Sequence, residues 1–216
     1  MMRLKVFIFL IFLATQASSV YAEELKAITL PAPQTETGNP LMQILKERKS
    51  ERAFSSRDIP LQVLSDMLWA ANGINRPGSS KRTAPSAKNM QEIDIYVAKS
   101  DGLYAYDATS NMLLPIISKD IRGLTGLQAF VKDAPLNLIY VADYSKMGGM
   151  QDKDKYFYAA TDTGFISQNV YLYCASEGLA TVVRGWIDKP TLREAMKLRP
   201  DQKIILTQTV GYPETL

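Results

Sequence analysis

Apolar residues recur along this chain at two spacings, one typical of helices and one typical of strands. Apolar positions three and four residues apart predict helices over Leu41–Arg48, Asp58–Asn72, Tyr156–Glu177 and from Asp188 onward. Alternating or continuous apolar runs predict strands over Ile93–Val97, Leu103–Tyr106, Pro135–Ala142, Ala180–Val183 and Lys203–Val210. We therefore expect an α+β fold in which helices flank a mixed central sheet.

The first 22 residues differ in character from the rest of the chain. Arg3 and Lys5 precede the apolar run 6–14, and a polar stretch then ends in Val20-Tyr21-Ala22. This order is typical of a secretory signal peptide, so we expect cleavage after Ala22 and a periplasmic or secreted protein. The apolar run is far shorter than the roughly 20 residues that cross a bilayer, so we expect no membrane anchor after cleavage.

The sequence thus divides into three parts with different expected roles. Residues 1–22 are the predicted signal peptide, residues 23–39 an extended lead-in, and residues 40–216 a single domain. The whole chain has a formal charge of +3, which falls to +1 without the two bases of the signal peptide. A nearly neutral domain offers no electrostatic reason to expect nucleic acid or an anionic membrane as a partner.

The composition restricts the chemistry that this chain can perform. It contains no histidine and a single cysteine, Cys174. An imidazole general base and a histidine-ligated metal are therefore excluded, and one cysteine cannot form an internal disulfide or a cysteine-rich metal site. We predict no metal site, and we expect Cys174 to be a buried structural residue within a helix. Any chemistry must therefore use other side chains or an organic cofactor.

The first candidate binding segment follows the first predicted helix and is rich in cations. Arg48, Lys49, Ser50 and Arg52 lie within six residues of one another. If the helix continues, Arg48 and Arg52 share a face and could clamp a phosphate with two guanidinium groups. The alternative is a solvated helix end, because glutamates are interspersed with these cations.

Two further segments contain residues that suit either a turn or a ligand contact. Pro85, Ser86 and Asn89 precede a predicted strand and could close a structural loop or face a polar ligand. Arg184 and Gly185 follow a short strand, where glycine lets a ligand approach the backbone or simply permits a turn. Each segment is unspecific alone, and their order along the chain is more informative.

In that order, the three segments resemble the nitroreductase family of FMN-dependent enzymes. The long predicted helix, which carries Gln168-Asn169, and the closing Gly211-Tyr212-Pro213 belong to the same resemblance, which covers residues 40–213. Residues 59–73 and Leu103-Tyr-Ala-Tyr-Asp107 are most similar to the branch that includes SagB-type dehydrogenases. The resemblance implies a nitroreductase-like FMN-binding fold and a homodimer with a shared active site.

The resemblance also implies roles for the residues of the first segment. Arg48, Lys49, Ser50 and Arg52 would hold the phosphate, the ribityl chain and the pyrimidine edge of FMN. The missing histidine agrees with this assignment, because the flavin would supply the redox chemistry while the protein orients it.

The other two segments acquire roles from the same resemblance. Pro85, Ser86 and Asn89 would approach the flavin from the partner chain, and the backbone N–H of Gly185 would point at flavin N5, where hydride arrives and leaves. Arg184 stands where many members have an acidic residue. A cation there would favour the anionic reduced flavin and attract an acidic substrate.

The sequence therefore predicts an exported FMN-dependent oxidoreductase that transfers hydride to or from a small organic substrate. NAD(P)H is the usual electron donor in the family, but nicotinamide nucleotides are cytosolic, so export argues for a different donor. The alternative is a non-catalytic protein of the same fold that binds a ligand or a partner. No residue pattern specifies oxidation of peptide azolines.

Overall fold

The computed structural model describes residues 24–214, so the predicted signal peptide lies outside the described residues. The helices in this range are α1 (Leu41–Glu47), α2 (Leu61–Asn72), α3 (Asp152–Ser176) and α4 (Lys189–Ala195). The strands are β1 (Ile28–Thr29), β2 (Ile74–Arg76), β3 (Lys81–Arg82), β4 (Ile93–Lys99), β5 (Gly102–Asp107), β6 (Met112–Ile117), β7 (Leu136–Asp143), β8 (Ala180–Arg184) and β9 (Gln202–Gly211). None of the helices within residues 24–214 is both long enough and apolar enough to cross a membrane.

Seven of these strands form one sheet in the order β1-β6-β5-β4-β7-β9-β8. Every strand pair in the described part of this sheet is antiparallel, so the expectation of mixed strand directions is wrong for these residues. The reason is the position of β9. Helix α3 does connect two strands of the same direction, β7 and β8, but β9 lies between them and pairs antiparallel with both.

The sheet is covered on both faces, and β7 lies in its interior between β4 and β9. All eight residues of β7 are buried, as its continuous apolar run predicts. On one face Leu138 and Tyr140 pack with α2 and α3, and on the other Ile139 and Val141 pack with Leu192 of α4. Burying one such aliphatic side chain stabilises the folded state by about 1.5–3 kcal/mol.

The lead-in is packed more firmly than the sequence predicts. Strand β1 pairs with β6 at the edge of the sheet, and Leu30 is buried in the main core. Further along, the backbone N–H of Gln34 donates to Asp66 of α2 at 2.8 Å. Residues 24–39 therefore contribute an edge strand and a strap over α2.

Helix α3 begins four residues earlier than the apolar pattern predicts, at Asp152. Asp152 and Asp154 lie in its first turn, where carboxylates interact favourably with the helix dipole. The helix ends before Gly178, which has a φ of +66°, a conformation that glycine adopts without steric cost. Cys174 is fully buried in α3, which confirms its predicted structural role.

Candidate functional site

The cationic segment after α1 is extended rather than helical. The helix ends at Glu47, and Arg48 has a ψ of 121°. The backbone N–H of Glu51 donates to the carbonyl of Thr181 in β8 at 3.0 Å instead of to a helical carbonyl. The helix therefore does not continue to Arg52, and Arg48 and Arg52 do not share a helix face, because tertiary bonding to β8 replaces the helical hydrogen bonds.

A tyrosine of α3 joins this segment to β8. The Tyr171 hydroxyl lies 2.8 Å from Oγ of Ser50 and accepts the backbone N–H of Val183 at 2.9 Å. The guanidinium of Arg48 lies over the same ring, 5.4 Å from its centroid. The sequence does not single out Tyr171 from the other tyrosines, since its role depends on contacts with residues far along the chain.

The side chains of the segment leave a net positive charge at the surface. Lys49 forms an ion pair with Glu51 at 2.9 Å, but its side chain is largely exposed, so the pair is weak and solvent-screened. Arg48 is half-buried on Tyr171, and Arg52 is exposed. Such a group of partly buried and exposed cations can attract an anion such as a phosphate.

Gly185 directly follows β8 and is exposed. Its φ is not in the left-handed region, and an added Cβ would meet only Leu206, with Cδ2 at 3.6 Å. Nothing in the described chain therefore requires glycine at this position. The N–H of Val183 bonds to Tyr171, and Val183 lies two strand residues before Gly185, a distance of about 7 Å. Gly185 and the cationic segment, which Tyr171 also contacts, therefore border one surface.

Arg184 is buried, whereas the adjacent Gly185 is exposed. The guanidinium of Arg184 donates to the carbonyl of Thr125 at 2.9 Å and to Oδ1 of Asn137 at 2.8 Å. Successive strand residues face opposite sides of a sheet. The guanidinium therefore lies on the face away from α3, which corrects the expectation that its charge stands beside the ligand next to Gly185.

Burial also lowers the pKa of Arg184 to about 10, so it remains a cation at neutral pH. Its Nε has no acceptor among the described residues, which adds to the cost of burying it. The role that these contacts support is structural, since the guanidinium fixes the Thr125 backbone below the end of β8.

The loop with Pro85, Ser86 and Asn89 has a defined and strained conformation. Lys88, Asn89 and Gln91 have φ values of 51°, 56° and 50°, in the left-handed region that side chains disfavour. Oγ of Ser86 accepts the N–H of Gln91 at 3.0 Å and closes the loop. Pro85 and Asn89 are exposed, so they remain accessible to another molecule.

A buried carboxylate of α3 anchors this loop. Oδ2 of Asp162 accepts the backbone N–H of Ala87 at 2.9 Å. Asp162 and Tyr171 are nine residues apart, which corresponds to about 13 Å and two and a half turns of helix. The loop and the cationic segment therefore contact opposite sides of α3, and one chain does not bring them together.

Comparison with known proteins identifies the fold and the family. The sequence profile of the nitroreductase family matches residues 45–212. The chain belongs to the nitroreductase family. It is also similar to a nitroreductase-like protein of Methanocaldococcus jannaschii, with 30% identity over 169 residues that cover 74% of this chain and 85% of that protein.

Solved structures agree with this assignment. A nitroreductase-like protein from Ralstonia eutropha superposes with a TM-score of 0.85 and 43% identity, covering 91% of this chain and 92% of that one. A chain of the Escherichia coli microcin synthetase complex superposes with a TM-score of 0.67 at 18% identity, covering 98% of this chain and 85% of that one, which shows a shared fold alone. The predicted nitroreductase-like α+β fold is confirmed.

Members of the nitroreductase family generally bind FMN, and the residues of this chain fit that cofactor. The segment from Arg48 to Arg52 offers cations and a hydroxyl for a phosphate and a ribityl chain. Gly185 lacks a side chain at a position where the protein itself has space for one. Both features suit a flat, anionic ligand that lies against the end of β8.

Proposed function

We propose that this nitroreductase-family oxidoreductase is an exported FMN-dependent enzyme that transfers hydride to or from a small organic substrate. The observation that carries the proposal is Gly185. It is a glycine that the chain does not need for its own packing, and it borders the cation-rich segment held by Tyr171. A Cβ at this position would instead obstruct a ligand that contacts the backbone N–H.

In this proposal each residue has a defined task toward the cofactor. Arg48, Lys49 and Arg52 bind the phosphate, and the Ser50 hydroxyl bonds to the ribityl chain. The backbone N–H of Gly185 faces N5 of the flavin and orients it. FMN, when bound, supplies hydride acceptance and donation at N5.

The proposed active site is shared between two copies of the chain. The loop containing Pro85, Ser86 and Asn89 reaches the flavin of the partner subunit, because α3 separates it from the cationic segment of its own chain. Exposed apolar residues of two helices support a dimer interface, among them Leu41, Met42 and Leu45 of α1 and Phe157 and Phe165 of α3. Exposed apolar patches of this kind mark interaction surfaces.

We further propose that the electron donor is not NAD(P)H, since an exported enzyme does not meet the cytosolic nicotinamide pool. A reduced small molecule or a protein partner would take its place. Within the family we assign the chain to the branch that includes SagB-type dehydrogenases, on the sequence of α2 and of the segment Leu103-Tyr-Ala-Tyr-Asp107. This assignment includes no peptide substrate.

Anaerobic spectroscopy of the purified mature protein tests the proposal. We expect a bound flavin spectrum that dithionite bleaches and NADH leaves unchanged. Bleaching by NADH at a catalytic rate would contradict the altered donor. Refolded protein that takes up no FMN would contradict the enzyme assignment and would favour the non-catalytic alternative.

Replacing both Arg48 and Arg52 by alanine tests the phosphate-binding segment. Charge-assisted hydrogen bonds contribute about 1.5–3 kcal/mol each, so we expect FMN affinity to fall about a hundredfold or more in Arg48→Ala/Arg52→Ala. Equilibrium dialysis against FMN measures the change. The control is Arg193→Ala, an exposed cation of α4 on the other side of the sheet, which should leave affinity unchanged. Equal affinity in the double variant would refute the assignment.

A further inference from the structure

A pair of buried carboxyl groups lies where the loop 86–91 meets the core. Glu92 directly follows the loop and is fully buried, with 0% of its surface exposed. Its neighbour Asp162 is also buried and accepts the N–H of Ala87. Neither carboxylate oxygen of Glu92 has a hydrogen-bond partner within residues 24–214. Two adjacent carboxyl groups in such a site cannot both ionise without a large cost.

Few charges compensate this pair. Lys146, in the turn after β7, attracts the negative charge of Glu92, but it donates to Asp94 at 2.7 Å and to the carbonyl of Gln91 at 3.4 Å. Burial, and then the proximity of Asp162, raise the pKa of Glu92 to about 7 despite the opposing attraction of Lys146. Glu92 therefore retains its proton in conditions where an exposed glutamate is ionised.

The remaining charged groups near the pair are already engaged with other partners. Asp143, whose N–H donates to the carbonyl of Glu92, forms an ion pair with Arg199 at 2.7 Å. Arg82 donates to the Gln91 side chain at 3.0 Å and to the carbonyl of Asn72 at 3.1 Å. These contacts leave Asp162 as the acidic group that faces Glu92.

The strained loop needs an anchor of this kind. Lys88, Asn89 and Gln91 adopt left-handed backbone conformations that a free peptide rarely populates. The hydrogen bond from Ala87 to Asp162 ties this loop to α3. A change in the charge of the pair therefore acts directly on the loop.

We propose that Glu92 carries a proton in the folded protein and that this proton holds the loop 86–91 against α3. With Glu92 neutral, the Ala87 N–H keeps its hydrogen bond to Asp162. When the proton is lost to solvent, a negative charge stands in a buried position with no hydrogen-bond partner among residues 24–214, and the loop is released. Asp162 and Glu92 are thus positioning residues. Their effect on FMN rests on the proposed function, whereas the proton on Glu92 does not.

The direction of the pH dependence follows from linkage. The pKa of Glu92 in the folded protein is about 7, above its ordinary value of 4.5. The folded state binds this proton more tightly than the unfolded chain, so the stabilisation is complete below about pH 4.5 and is lost as pH rises through about 7.

Hydrogen exchange in flavin-free protein tests the proposal. From about pH 5 to about pH 9, we expect the protection factor of the Ala87 amide to fall about tenfold or more in the wild type. Glu92→Gln, a neutral mimic of the protonated acid, should keep the protection constant over this range. Asp152→Asn, which removes an exposed carboxylate at the start of the same helix, should behave like the wild type.

Identical pH profiles in the wild type and Glu92→Gln would overturn the proposal. If Glu92→Gln does not fold, infrared spectroscopy of the wild type decides the question. A protonated carboxylic acid band at about pH 6 that disappears by about pH 9 supports the proton on Glu92, and its absence at about pH 6 overturns it. FMN retention that stays constant while Ala87 protection falls would support the proton on Glu92 and contradict the proposed contact between loop and flavin.

Discussion

At the scale of single residues, the end of β8 shows how two neighbours can have unrelated roles. Arg184 is a buried cation whose hydrogen bonds to Thr125 and Asn137 hold a loop in place. Gly185 is exposed and meets no close atom that would exclude a side chain. The strand alternation sends one residue into the core and leaves the other at the surface beside the cationic segment.

The contrast leads to a prediction for Gly185→Val. Because the chain has room for a side chain here, we expect the free energy of unfolding to change by no more than about 0.5 kcal/mol. FMN retention should be lost, since the side chain occupies the space against the backbone N–H. Thermal unfolding of the flavin-free protein and flavin absorbance after gel filtration measure the two effects.

A second glycine provides the matched control. Gly178 has a φ of +66° at the end of α3, so Gly178→Ala should cost about 1–2 kcal/mol of stability. It should leave FMN retention unchanged at temperatures where the protein is folded. If Gly185→Val retains FMN, the proposed contact with N5 is wrong.

At the scale of elements, α1 and α3 combine a buried face with an unusually apolar exposed one. On α1, Ile44 is buried, whereas Leu41, Met42 and Leu45 are exposed, with 77% of Met42 accessible. The spacing of Leu41, Ile44 and Leu45 is typical of one helix face, yet only Ile44 is buried. The outer face of this short surface helix is not covered by another helix or strand among the described residues of the chain.

We therefore expect the double variant Leu41→Glu/Leu45→Glu to disrupt the proposed dimer. Charges buried in an interface cost several kcal/mol, so self-association should weaken about a hundredfold or more, and FMN retention should fall with it. Sedimentation velocity over a concentration series measures the dissociation. Leu114→Glu/Ile116→Glu, on exposed positions of β6, is the control and should leave the mass unchanged. A dimer that survives the α1 changes would exclude α1 from the interface.

At the scale of the whole molecule, the predicted export determines where the cofactor is acquired. Removal of residues 1–22 leaves a nearly neutral domain. A chain that is exported unfolded must bind FMN after translocation. Its affinity for free FMN in the compartment outside the cytosol is therefore important. The cation-rich segment and the shared site would both have to form there.

Mass spectrometry of the exported protein tests this order of events. We expect a mature chain that begins at Glu23, because the signal peptidase requires small residues before the cleavage position. Ala22→Lys should accumulate as an uncleaved precursor. A full-length protein recovered from the cytosol in the wild type would contradict export.

Much of the fold could be predicted from the sequence, and the omissions have physical causes. The central strands β4, β7 and β9 were predicted because their burial produces clear apolar patterns. Strand β6 was missed because it contains Pro115, which lacks the N–H that a paired strand uses. Strand β1 is too short for any periodicity to show, and only its pairing with β6 defines it.

By itself, the sequence determined the family, the α+β class and the residue types of the candidate site, because local apolar spacing and motif order are properties of the chain alone. Only the tertiary structure decided which of those residues share a surface. Hydrogen bonds from Glu51 to Thr181 and from Val183 to Tyr171 set the cationic segment beside β8. Packing against the sheet buried Arg184, and helix α3 separated the loop 86–91 from the cationic segment 48–52. The contact between Glu51 and Thr181 joins residues more than a hundred positions apart, where no local pattern specifies it.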